Sequence, residues 1–201
     1  MLLTGKTQEL TVVKVVDFGV YLAEDNSRES ERVLLPKRQV PEGTAAGSKI
    51  KVFIYRDSSD RLISTTASPK LQLNEIALMT VVSVGKIGAF LDWGLEKDLF
   101  LPFKEQTVRV KEGDSVLAAL YLDKSGRLCA TMKLYPYLKN DPPYTIGEMV
   151  SARIYEINPR FGLFVAVDDK YSGLIQNKDA QGHYRPGDKL MVRITQIRED
   201  G

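Results

Sequence analysis

In 201 residues the chain has one cysteine, Cys129, one histidine, His183, and one tryptophan. A lone cysteine forms no internal disulfide, and a lone histidine without a second histidine or a cysteine at ligand spacing does not make a zinc site. His183 sits in the turn-rich stretch QGHYRPG and Cys129 in an apolar run, so nucleophilic chemistry has no base beside its nucleophile. TGKT at 4–7 has the ending of a phosphate-binding loop but neither the upstream glycine nor the following helix that such a loop needs. No enzyme, metal or cofactor is therefore expected. The net charge is +2 with pI near 8.5, well short of the basic footprint of a duplex-DNA binder. No run approaches the roughly 18 apolar residues of a membrane span. The start MLLTGKTQELTVV lacks the basic segment and apolar core of a secretory signal, so a cytoplasmic protein without membrane attachment is expected. Helical periodicity is nearly missing.

What is present is repetition. VVDFGVYLA, VGKIGAFLD and NPRFGLFVA each place a glycine (Gly19, Gly88, Gly162) before an apolar alternation. Each is followed by VLLPKR, LFLPFK or GLIQNK, then by a turn glycine (Gly47, Gly113, Gly187) and a further alternating run: KIKVFIY, SVLAALYL or KLMVRITQI. The glycine-to-glycine interval is 25 residues in the second and third repeats and 28 in the first, whose extra residues fit within the polar EDNSRESER. Such loops tolerate insertion. The alternating runs are rich in β-branched and aromatic residues, as strands are. Only PKRQ and PFKEQ could form a helical turn, and the proline-bearing ASPKLQLN and YPYLKNDPPYT read as linkers.

Five short strands in about seventy residues fit a five-stranded Greek-key barrel of the OB type. The expected fold is all-β: three tandem barrels at 1–67, 68–139 and 140–201. The third stops at IREDG, before the final strand that GRLISTT and GRLCATM supply to the others, and is expected to be truncated there.

The aromatic-flanked glycine, the strand ends LLP, FLP and LIQ, the GD of EGDSV and PGDKL, and the closing LDKSGRLCAT resemble S1-type RNA-binding domains. As an ordered set of three they resemble the bacterial conserved virulence factor B family, which adds a C-terminal winged helix, a domain not expected within these residues. In S1-type domains a histidine often ends the third strand; Pro36, Pro102 and Gln176 stand at those positions here.

The resemblance implies a single-stranded RNA-binding regulator whose barrels stack bases on exposed rings beside basic side chains. A bulge or turn at Gly162 is expected to shift the strand phase, bringing Phe161 and Phe164 both outward while Leu163, Val165 and Val167 fill the core. The third unit, with Phe161, Phe164, Arg153, Tyr155 and Arg160, reads as the strongest face. The first offers Phe18, Tyr21 and Lys14. The second keeps Phe90 but has Ile87 in place of the first ring, and reads as a spacer. Arg38, Lys104 and Lys178 share one repeat position, and the resemblance assigns Arg61 with Asp57 and Arg127 with Asp123 to the last turn. An arginine there can reach phosphate or a base; alternatively it pairs with its aspartate, worth about 0–1 kcal/mol. Rings at these positions can also simply cap a small core. The competing function is a protein-interaction scaffold, binding ribosome-associated or transcription proteins, and the near-neutral charge of every unit favours it.

Overall fold

The structure is a computed structural model that describes residues 1–25 and 31–199. Part of the first repeat's polar insertion, at 26–30, lies outside the described residues. Two compact units emerge: one comprises Met1–Leu73, Trp93–Leu99 and Leu120–Cys129, and the other Asn74–Asp92, Phe100–Ala119 and Ala130–Gly201.

In the first repeat β1 (Thr7–Val16), β2 (Gly19–Ala23), β3 (Val33–Pro36), β4 (Lys49–Arg56) and β5 (Leu62–Thr65) form a closed barrel in the order β1-β2-β3-β5-β4. β1 is long enough to pair with both β2 and β4, and a single parallel contact, Leu34 opposite Ile63, joins β3 to β5. Alternation sends Val20, Leu22, Val33, Leu35, Val52 and Ile54 inward with Leu10 and Val12. The second repeat reproduces the order with β6 (Ile76–Val84), β7 (Gly88–Asp92), β8 (Leu99–Pro102), β9 (Ser115–Leu122) and β10 (Leu128–Thr131), as the sheet β10-β9-β6-β7-β8. In the third repeat, β11 (Met149–Asn158), β12 (Gly162–Val167), β13 (Tyr171–Gln176) and β14 (Lys189–Arg193) give a four-stranded sheet, β13-β12-β11-β14. Among the described residues this third sheet has no fifth strand, and β14 ends at Arg193, short of the expected run. Lys37–Gln39 and Phe103–Glu105 form the two anticipated helical turns, both 3₁₀.

The linker after β10 is not a free tether. A 3₁₀ turn at Tyr135–Tyr137 lets the fully buried Leu134 pack with Leu117, Ala119, Tyr155 and Ala166. Lys139 then bridges in parallel to Tyr171.

The bulge expected at Gly162 lies instead on the facing strand. β11 slips register between Ile154 and Glu156, β1 between Val12 and Lys14, and β6 between Val81 and Ser83. At each slip the preceding residue has two backbone bonds to the turn beyond: Gly47, Gly113 and Gly187 donate to the carbonyls of Val12, Val81 and Ile154 at 2.8, 2.8 and 2.7 Å. The extra residue arises because the first strand serves two neighbours there.

Gly162 has a different task. Its φ is +127°, and a methyl group on it would lie 2.1 Å from the carbonyl oxygen of Ile175. Gly19 (φ +153°) meets Leu35 O at 2.2 Å in the same way. The repeated glycine is a close backbone approach. Gly162→Ala is therefore expected to lower the urea midpoint followed by circular dichroism by more than Gly113→Ala. Gly113 has φ +88° but nothing within 4 Å, so it pays only the backbone strain of about 1–3 kcal/mol. Equal losses would contradict the close-approach role.

Candidate nucleic-acid interface

The short glycine-led loop between the first two strands of each repeat ends on the outer wall, so residues just before the glycine and two after it share one face. In the first repeat these are Phe18, 58 % exposed, and half-buried Tyr21, meeting edge to face with centroids 6.4 Å apart. In the third they are Phe161, 50 % exposed, and half-buried Phe164, at 6.5 Å and 66°. Both pairs are T-shaped, a favourable aromatic geometry that leaves the outer ring open. The Phe18 carbonyl accepts from Lys37 N at 2.9 Å, and the Asn177 side chain donates to Pro159 O at 2.8 Å, so the ring-bearing loops are pinned to the ends of β3 and β13.

The cations divide into two groups. Lys14 stands opposite Tyr21 in the β1–β2 ladder and is exposed, as are Lys104 and Lys178. None of the three has an ion-pair partner among the described residues. Arg160 lies over the Phe161 ring at 5.3 Å, a cation–π contact. The others are occupied by carboxylates. Arg38 pairs with Glu96; Arg61 holds Asp57 through Nε at 2.9 Å and Nη2 at 2.8 Å; and Arg127 reaches Asp60 at 3.0 and 3.3 Å rather than Asp123. Hydrogen bonds from the Arg61 backbone and side chain and from the Ser59 backbone hold the Asp57 carboxyl below its usual range. The Arg127 side chain does the same for Asp60, and the Ser125 hydroxyl, with backbone donors, for Asp123.

Two residues assigned to the third face are not open to a ligand there. Tyr155, the bulge residue, is 4 % exposed and packed against Leu134 and Ala166. Burial pushes its hydroxyl pKa up, so it stays protonated. Arg153 is clamped to Asp169 at 2.8 and 3.2 Å with its side chain 13 % exposed. Both stay on the outer side of the sheet, Arg153 opposite Ala166 and the Tyr155 ring 6.3 Å from that of Phe164, but one is held by an aspartate and the other is covered. Glu156, not a cation, stands opposite Phe164. The face expected to be strongest keeps Arg160, Phe161 and Phe164; the first repeat keeps both rings with Lys14 beside them. Half-buried Phe90 has Ser83 opposite and meets Phe100 of β8 at 5.4 Å. Phe100 was not anticipated, although LFLP against VLLP and GLIQ was the available signal.

The sequence profile of the S1 domain matches residues 4–67 and 75–133, which together exceed half the chain. The chain belongs to the S1 domain family. It is 25 % identical over 209 residues to the uncharacterized protein YitL of Bacillus subtilis, covering 98 % of this chain and 67 % of that one. It is 23 % identical over 167 residues to conserved virulence factor B of Staphylococcus saprophyticus, covering 77 % of this chain and 54 % of the relative. With two successive S1 matches it is a tandem S1 protein, similar to both of these relatives. In fold it resembles a crystal structure of a multidomain protein with nucleic acid binding domains from Streptococcus pneumoniae, with TM-score 0.59, 19 % identity, and 98 % of this chain and 70 % of that chain covered.

The Arg127–Asp60 pair can be checked by carboxyl ¹³C NMR titration. Asp60 is expected to titrate below the ordinary aspartate value of about 3.9 and to move up toward it in Arg127→Ala. A depressed folded-state pKa contributes stability above the unfolded value that is lost as pH falls through the folded one. Wild type should therefore lose stability below about pH 4 more steeply than the variant. An unchanged Asp60 midpoint would contradict the pairing.

Proposed function

We propose that the protein is a cytoplasmic single-stranded RNA-binding regulator, acting by binding rather than catalysis, with S1-like modules at 1–67, 68–139 and 140–201. The observation that carries this reading is the recurrence of one outward two-ring platform, Phe18–Tyr21 and Phe161–Phe164, each with a cation held by no carboxylate among the described residues: Lys14 in one, Arg160 in the other. Unpaired bases stack on such rings while cations follow the phosphates. Membership of the S1 domain family supports it, as does the nucleic-acid-binding description of the similar streptococcal structure. Tethered modules raise one another's effective concentration, so two weak platforms can combine on one strand.

The scaffold reading has its own support. Arg38, Arg61, Arg127 and Arg153 are neutralised within the protein, and the net charge is +2. Fluorescence anisotropy of labelled single-stranded RNA separates the two. Binding is expected to weaken with rising salt. The pairs Phe18→Ala with Tyr21→Ala and Phe161→Ala with Phe164→Ala should each cost about 1–3 kcal/mol per lost stacking position, while Arg61→Ala should change affinity little. No anisotropy change at high protein concentration would decide for the scaffold.

A further inference from the structure

One position on the outer wall changes its charge from repeat to repeat. Opposite the second-strand ring stand Lys14 in the first, Ser83 in the second and Glu156 in the third. A carboxylate repels phosphate, so the RNA reading gives Glu156 no task. Glu156 is half-buried and has neither an ion pair nor a side-chain hydrogen bond among the described residues. The two cations closest to it in sequence are engaged elsewhere: Arg153 with Asp169, and Arg160 over the Phe161 ring at 5.3 Å.

The surroundings of this carboxylate are aromatic. Residues directly opposite in an antiparallel ladder have Cβ atoms about 4.5–5.5 Å apart, so Glu156 stands beside Phe164. Phe164 meets Phe161 at 6.5 Å and 66°, and Tyr155 at 6.3 Å and 39°. Tyr135, 65 % exposed on its 3₁₀ turn, lines the same cleft as Tyr155, Glu156, Phe161 and Phe164. Ring faces are electron-rich, and rings set at an angle around a carboxylate attract a cation from several sides at once. Partial burial strengthens the attraction, because water screens it less. The arginine over Phe161 is an instance of the same interaction within the chain. The donor set is wrong for a divalent metal, which takes several oxygen ligands; among the described residues no group of three or more metal-binding side chains occurs. An alkylammonium group fits: one positive charge for Glu156 and a methylene stem to lie against the rings.

We propose that the outer wall of the third repeat binds an alkylammonium cation, with Glu156 as its counter-charge and Phe161, Phe164 and Tyr135 as its ring walls. Two sources carry that group: a free polyamine, or a lysine side chain on a partner protein. Either would occupy the platform that the RNA reading gives to a base. The site is tested without nucleic acid, so its failure leaves the RNA reading standing. Aromatic ¹³C NMR of the whole chain is followed during titration with spermidine and, separately, with the capped peptide acetyl-Gly-Lys-Gly-amide. The ring signals of Phe161, Phe164 and Tyr135 should move and saturate, and whichever probe binds more tightly names the source. Glu156→Ser should lower the affinity roughly five-fold or more; serine stands at this position in the second repeat, so the fold accommodates it. Arg160→Ala, which removes a competing cation, should raise the affinity, whereas the RNA reading has the same change weaken RNA binding. Ring signals that stay still with both probes, or affinity unchanged in Glu156→Ser, would overturn the site.

Discussion

Each repeat depends on one backbone-to-backbone contact. At Gly19, Gly88 and Gly162 the start of the second strand passes so close to the end of the third that a methyl group would sit 2.1–2.4 Å from a carbonyl oxygen. That approach begins the hairpin in register, pins the preceding loop and leaves bare backbone on the outer wall. The ring positions follow from it. The residue before the glycine is thrown outward, the residue two after it shares its face, and the position across the hairpin is free to carry leucine or phenylalanine.

Electrostatics within the molecule are mostly spent on structure. Arg61 closes the turn between β4 and β5, Arg127 extends to Asp60, Arg38 to Glu96, and Arg153 secures the turn after β12 through Asp169. An exposed pair of this kind contributes little to stability, but it sets which positive charges remain for a ligand. What remains is scattered and local: a lysine opposite one ring, an arginine over another, a lysine after a 3₁₀ turn. Binding by stacking supported by a few cations fits that distribution better than binding driven by a strong field.

The three units vary one plan. The residue opposite the second-strand ring is Lys14 in the first, Ser83 in the second and Glu156 in the third, so equivalent faces differ in charge while sharing a backbone. The third unit also uses its outer wall for packing: Tyr155 and Ala166 are covered by Leu134 of the linker, which narrows the open face to its glycine end. Modules that share a backbone plan are thereby unequal in what they offer to a ligand.

Repetition, strand content, inward alternation and the ring-flanked glycine were all legible in the chain, because each is a local property: periodicity two, turn residues at fixed spacing, one conformationally permissive residue. Among the charged groups the Arg61–Asp57 pair, four residues apart, was open to reading, but the longer-range partners were not, because Arg127 meets a residue 67 positions away and no spacing rule reports such a distance. The fates of Tyr155 and Phe100 were hidden for the same reason. Leu134, from the segment after β10, covered one ring, and a neighbouring strand laid the other on a glycine. By itself the sequence determined which residues could form the walls. Only the tertiary structure decided which rings reach solvent and which charges stay unpaired, since both depend on what the rest of the chain places beside them.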